Sequence, residues 1–522
     1  MRLTTSHTAS RLASLLPAVV AIGLATRPLN AQAQDSTTTY DYVPDPARDA
    51  IVAQCSTDPA RAARAALQLP YIAGNSSNGY IGTKYIEAED ADQANAYPWT
   101  SSIPFVANAA ASGSADGGWQ ALPDLEGFTL NRTIEIRDGA IQPAYITANY
   151  NAASIKRGIL VMPGKPRDSW KYTNLIRNAL TVQQTLFPEW GVTSDEVIII
   201  GPAWLNNFDQ TAGAAQNNEL VFHGTQWQSG GRSRSPAISD RITSYEALDA
   251  FADMLFDKNQ FPNLNQVVMV GHSMGGQMLQ RYSLLKKTKA YDNNLRYWLG
   301  NPGSYAWIED ARPYANASCQ GGNEWAYGLN GSVTPYGRSE VRSDKAGVIT
   351  RFLGRKLIYA LGLMDNGAGD THCEALLQGG NHLDRGSEFI LSVETASSGT
   401  WPANHTANYV AGVSHQDYPM MSNNVSMEHI FYRDFDVRYP DLNNVDSSDD
   451  DPTEAKAKSF ATPTHTIIAY CLLLGSIGAT MLAFIALPFV FPVNSHWQEQ
   501  EAWAKELKRA PPPAAVGGGS RI

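Results

Sequence analysis

Residues 267–278 read VVMVGHSMGGQM, an apolar run that passes straight into Gly-His-Ser-Met-Gly-Gly. A hydroxyl held between glycines at the end of a buried strand is either a turn residue facing water or a nucleophile. The nucleophile reading explains the glycines. A serine on a sharp strand-to-helix turn takes strained backbone angles, and side chains at Gly271 and Gly275 would collide with the neighbouring strand and helix. The turn also aims the backbone N–H of Met274 and a helix N-terminus at negative charge developing on a substrate. The bare G-x-S-x-G pattern arises by chance in roughly one chain in five of this glycine content, so the flanks must decide. They supply QVVMV as the strand and GQMLQRY as the helix.

The elements needed to hold such a turn surround it. RGILVMPG (157–164) and DEVIIIGPAW (195–204) are short, continuous apolar strands bounded by Gly and Pro, with a helical pattern between them in SWKYTNLIRNALTVQQTLF. SDRITSYEALDAFADMLFD is a second helical pattern, with Ser239 or Asp240 available as its N-cap. LRYWLG and RKLIYALGLMD follow as later strands, and TIEIRD (133–138) and AYITANY (144–150) precede. Unalternating strands separated by helices predict a doubly wound, mostly parallel sheet. Residues 34–131 lack clear periodicity and read as an irregular N-terminal extension.

VVMVGHSMGGQ resembles the nucleophile turn of the α/β-hydrolase superfamily, and the resemblance covers roughly residues 133–435. FPNLNQVVMVGHSMGGQMLQRYSLL resembles secreted or lipid-associated microbial hydrolases of unassigned substrate. The superfamily implies a Ser, acid, His order along the chain. After Ser273, Asp365 stands where a late strand ends, and Asp370 follows it; both are open as the acid, Asp365 first. His415 then lies in YVAGVSHQDYPM, past a short apolar run and a glycine. In such a triad the imidazole takes the serine proton, and the carboxylate fixes the imidazole's tautomer and stabilises its charged form. The resemblance also implies a second oxyanion donor after an early strand. The backbone N–H of Gly164 or Lys165 in ILVMPGKPRDSW is the candidate, although this loop differs from the HGGG form.

Other constellations are weaker. His272 reads as a packing residue. His372, Cys373, His382 and Asp384 gather zinc-type ligands, but without a second nearby cysteine or an H-E-x-x-H, so no metal or cofactor is implied. Residues 304–345 carry Tyr305, Trp307, Tyr314, Trp325, Tyr327 and Tyr336, suited either to roof the site as a cap or to ordinary packing.

Composition and chain ends set the context. Among 522 residues, 43% are hydrophobic and the net charge is −10, which leaves no basic stripe for nucleic acid. Residues 1–33 read as a signal peptide, with an apolar core at 12–25 and AQA at 31–33. The catalytic domain is expected over 132–446, followed by a polar stalk (447–466). Residues 467–491 are uncharged for 25 positions and predict a membrane span, and a short cytoplasmic tail (492–522) completes the chain. The polar residues after the span exclude a GPI signal. Six sequons, at Asn75, Asn131, Asn316, Asn330, Asn404 and Asn424, all fall between signal and span. Cys471 lies within the span, which leaves Cys55, Cys319 and Cys373, with Cys319–Cys373 the favoured disulfide because both flank the catalytic segment. The expectation is a single-pass type I membrane protein of the secretory pathway, bearing a lumenal or extracellular serine hydrolase for a small-molecule or lipid-like acyl substrate. The alternative is a catalytically silent binding or adhesion ectodomain on the same fold.

Overall fold

The strands at the centre of the sheet have no polar face because helices cover both sides of it. In the computed structural model, which describes residues 45–70, 118–367 and 369–437, eight strands form one sheet. They are β1 Phe128–Asn131, β2 Ala144–Thr147, β3 Arg157–Met162, β4 Val197–Pro202, β5 Gln266–His272, β6 Leu295–Gly300, β7 Lys356–Gly362 and β8 His405–Val410. Their spatial order is β1-β2-β4-β3-β5-β6-β7-β8; β2 runs antiparallel to both its neighbours, β1 and β4, and every other pair is parallel. Alternate residues of one strand feed opposite faces. Leu160 and Met162 join one core while Ile159 and Val161 join the other, and Met269 and Val270 divide in the same way. Each fully buried aliphatic side chain contributes about 1.5–3 kcal/mol relative to exposure, so both layers are strongly driven. Register aligns Met162 with Gly271 and Gly271 with Leu299, bringing the ends of β3, β5 and β6 to one edge.

The helices around the sheet include α1 Pro46–Cys55, α2 Pro59–Ala66, α3 Ser169–Leu186, α4 Ser244–Phe256, α5 Met274–Leu285, α6 Arg338–Leu353, α7 His382–Ala396 and α8 Asp417–Ser422. The cap of α4 is Thr243, neither Ser239 nor Asp240. Its hydroxyl accepts the Glu246 N–H while the Glu246 carboxylate accepts the Thr243 N–H, a reciprocal pair that Asp240 could not make. Asp240 instead takes Arg137 at 3.0 Å. TIEIRD contributes only Glu135–Arg137, paired with Ala140–Ile141 in a separate ribbon.

The N-terminal region is more regular than its periodicity suggests. Asp45 and Asp58 cap α1 and α2, each followed by Pro at the first helical position. Helix α2 buries an alanine face against α7, and α1 packs on β8. Arg48 Nε reaches the carbonyl of Leu363 at 3.4 Å, and Arg64 pairs with Glu394 on α7 at 2.6 Å. Among the described residues no helix is long and apolar enough to cross a membrane. The signal peptide, Asn75, the stalk, the 467–491 span and the tail lie outside the described residues.

Candidate active site

Ser273 sits between the end of β5 and the start of α5, with φ 56° and ψ −120°. A non-glycine residue held at positive φ costs of order 1–3 kcal/mol, which the surrounding structure must supply. The turn is locked by the Ser273 N–H donating to Gly300 O at 2.8 Å. A Cβ on Gly271 would lie 2.4 Å from the backbone of Gly275, and one on Gly275 would lie 2.6 Å from Met162 O and 2.7 Å from Pro163 O. Both glycines are therefore required by close backbone approach, and the second presses the Ser273 turn against the end of β3.

The side chains converge. His415 Nε2 lies 2.9 Å from Ser273 Oγ, and His415 Nδ1 lies 2.7 Å from Asp365 Oδ2. Asp365 follows β7, and His415 follows β8. Burial pushes the Asp365 carboxyl up, but His382 and His415 outweigh it and hold the group well below the ordinary carboxylate range. The acid thus stays ionised although it is completely buried.

Asp370 is engaged elsewhere. Its carboxylate accepts from Tyr327 OH at 2.8 Å, Ser304 Oγ at 3.2 Å and the His372 ring at 2.6 Å. It ties the 304–345 segment to the loop after β7. The same two segments are joined by the Cys319–Cys373 disulfide, and Cys55 is a buried free thiol pushed up to about 12 by burial. The aromatics of this segment divide. Tyr305 stacks on Phe389 and Trp307 packs beside it in the core, Tyr336 bonds Asp249, and Trp325 donates to Ser229 O. For these residues the packing role holds.

The zinc-type cluster does not assemble. His372 is exposed and bonded to Asp370, Cys373 is oxidised, and Asp384 accepts from Asn381. His382 instead faces Asp365, its Nδ1 3.1 Å from Oδ1. Asp365, His382 and His415 bring ligand atoms within 4.8 Å of one another and are a group of suitable ligand types for a cation, but they are occupied with each other and with Ser273. This placement of His382 leaves no mark in the sequence around it. His272, beside Ser273, is buried against Tyr172 and His415, and burial pushes its imidazole down to about 3, so it packs as a neutral ring.

For the oxyanion candidates, Met274 opens α5, Gly164 is buried and Lys165 is exposed just beyond β3. A Cβ on Gly164 would lie 2.5 Å from the Tyr172 hydroxyl, so a larger residue there would have to displace that side chain. Of the sequons, Asn316, Asn330 and Asn404 are exposed and Asn131 and Asn424 half-buried. The Ser426 hydroxyl of the last one is buried under Trp298.

The strand order, the helices on both faces, and a serine, acid and histidine carried after β5, β7 and β8 fit an α/β-hydrolase fold. No family model matches the chain, and no curated protein matches it. Among solved structures it is similar to poly(aspartic acid) hydrolase-1 from Sphingomonas sp. KT-1, at 17% identity and TM-score 0.40, over 58% of this chain and 97% of that one. A poly(3-hydroxybutyrate) depolymerase from Bordetella parapertussis gives 16% identity and TM-score 0.39, over 61% and 93%. The siderophore hydrolase EstB from Aspergillus nidulans gives 11% and 0.32, over 60% and 97%.

Proposed function

We propose that the chain is a serine hydrolase that cleaves an ester or related acyl bond through an acyl-serine intermediate. One observation carries this: the unbroken relay from Ser273 Oγ through His415 to Asp365 at 2.9 and 2.7 Å, mounted on a strained turn. Serine hydroxyl is a weak nucleophile, and an imidazole within hydrogen-bond reach lets it attack as its proton leaves. His415 Nε2 takes that proton while Oγ bonds the acyl carbon. The Met274 N–H and an N–H of the Gly164–Lys165 loop receive the oxyanion. The His415 imidazolium, held against ionised Asp365, then returns the proton to the leaving group. Water repeats the sequence and frees the serine.

The domain belongs, on this reading, outside the cytosol and is tethered by residues 467–491. The Cys319–Cys373 disulfide and the 25 uncharged residues support that placement. A fluorophosphonate probe tests the chemistry. It should label Ser273 in the folded protein and fail on Ser273→Ala. A folded wild-type protein that refuses the probe would favour a binding ectodomain that keeps the fold without turnover.

A further inference from the structure

The two oxygens of Asp365 face two different histidines. Oδ2 takes Nδ1 of His415 at 2.7 Å, and Oδ1 lies 3.1 Å from Nδ1 of His382 in an oblique approach. Among the described residues neither Oδ1 nor that Nδ1 has another partner, and both are buried. The His382 ring also stacks on His415, with centroids 4.2 Å apart and planes 29° apart. On another side of His415 the His272 ring stands 4.7 Å away. The chain clears space for His382: a Cβ on Gly369, at φ 55°, would lie 2.3 Å from its ring.

We propose that His382 is a positioning residue for the relay, donating from Nδ1 to Oδ1 of Asp365 and stacking on His415, so that Oδ2 and the imidazole stay in line with Ser273 Oγ. This rests on the serine-hydrolase reading. Burial pushes the His382 imidazole below its ordinary value, so it is a neutral ring at pH 7. A neutral ring with its lone pair toward a carboxylate would be repelled, so the proton sits on Nδ1. A donor on Oδ1 draws charge from the carboxylate and weakens its pull on the proton of His415. Removing the donor should therefore make His415 more basic. The other titratable or charged groups around the pair include His272, the Lys171–Asp417 ion pair beyond it, Tyr305, and Arg385 on α7 with its neighbours Asp370, Asp384 and Tyr327.

The test uses full-length protein, the fluorophosphonate probe and two variants. His382→Phe keeps a ring to stack but has no donor; His382→Asn keeps a donor at the position of Nδ1. In His382→Phe the labelling rate at pH 7 should fall about tenfold or more, as for loss of a group that aligns catalytic atoms. The acid limb of the rate profile should also move to higher pH. His382→Asn should return the limb toward wild type. A folded His382→Phe with the wild-type limb, or a His382→Asn no closer to wild type, overturns the proposal. ¹⁵N NMR of histidine-labelled wild-type protein decides the matter without any variant: Nδ1 of His382 must carry the proton, and the opposite tautomer refutes it. A wild-type protein that refuses the probe counts against the hydrolase reading, and the tautomer then still tests the contact.

Discussion

Asparagine at position 365 removes one of the two oxygens that organise the histidines. If the amide NH₂ faces His415, it meets a ring nitrogen that must now accept. The ring then carries its proton on Nε2, 2.9 Å from Ser273 Oγ, where a lone pair is needed. If the amide turns the other way, it sets NH₂ against the Nδ1 of His382 at 3.1 Å. The carboxylate charge is lost either way, and Asp365 has no exposed surface through which water could replace it. Loss of the acid with geometry intact costs about 10⁴-fold in kcat in such triads, or roughly 5.4 kcal/mol of barrier. Asp370→Asn removes bonds to Tyr327, Ser304 and His372 but leaves the relay untouched, so its loss should stay within about tenfold. Hydrolysis of p-nitrophenyl esters of graded chain length, with active sites counted by the fluorophosphonate and folding checked by circular dichroism, separates the two. A folded Asp365→Asn that keeps a tenth of the activity, or an Asp370→Asn that loses as much, would refute the assignment of the acid.

Gly275→Ala should cost at least about 10²-fold in kcat, because a methyl 2.6 Å from Met162 O and 2.7 Å from Pro163 O must push the nucleophile turn off β3; activity at wild-type level would contradict this. Burial and neighbouring Asp384 push Glu388 up to about 7, so the native state keeps a proton that the unfolded chain has lost. Its contribution is fully present below about pH 4.3 and is lost as pH rises to about 7. Glu388→Gln should therefore stabilise the fold at pH 8 by roughly 1 kcal/mol once partial exposure is discounted, read as a higher melting temperature, and leave it nearly unchanged at pH 4; an equal gain at both values would exclude this origin. Replacing Cys319 and Cys373 together by serine opens a loop with a sequence separation of 54. Loop-closure entropy then predicts about 4 kcal/mol lost in reversible denaturant unfolding, and an unchanged midpoint would show that the bridge does not stabilise the fold.

The central sheet and the relay were legible because each leaves a local mark. VVMVGHSMGG is at once a two-faced buried strand and a turn whose glycines meet backbone. Asp365 could be ranked above Asp370 only by its place at a strand end; what separates them physically is the company of Tyr327, Ser304 and His372. His382 was not legible as a neighbour of the triad, since nothing in NHLDRG says which loop its ring will face, and its spacing to Cys373 drew attention toward zinc. Helices α1 and α2 did carry a signal. Asp-Pro-Ala-Arg occurs at both starts, Asp45 and Asp58, as cap and first helical residue. Hydrophobic periodicity is weak in α1, but α2 carries it: Ala62, Ala63 and Ala66 are buried while Arg61 and Arg64 are exposed, a short two-faced pattern that the surrounding irregular sequence obscures.

The three groups of the relay arise at widely separated points of the chain, and the last to be made, His415, lies 142 residues after the serine. At about 5–20 residues per second, a nascent polypeptide carries its hydroxyl for roughly 7–28 s before the base exists. No ribosome-bound intermediate shorter than that can turn over an acyl bond by this relay. On the serine-hydrolase reading, translation itself thus acts as a timer that keeps the chemistry silent until all eight strands of the sheet have been synthesised.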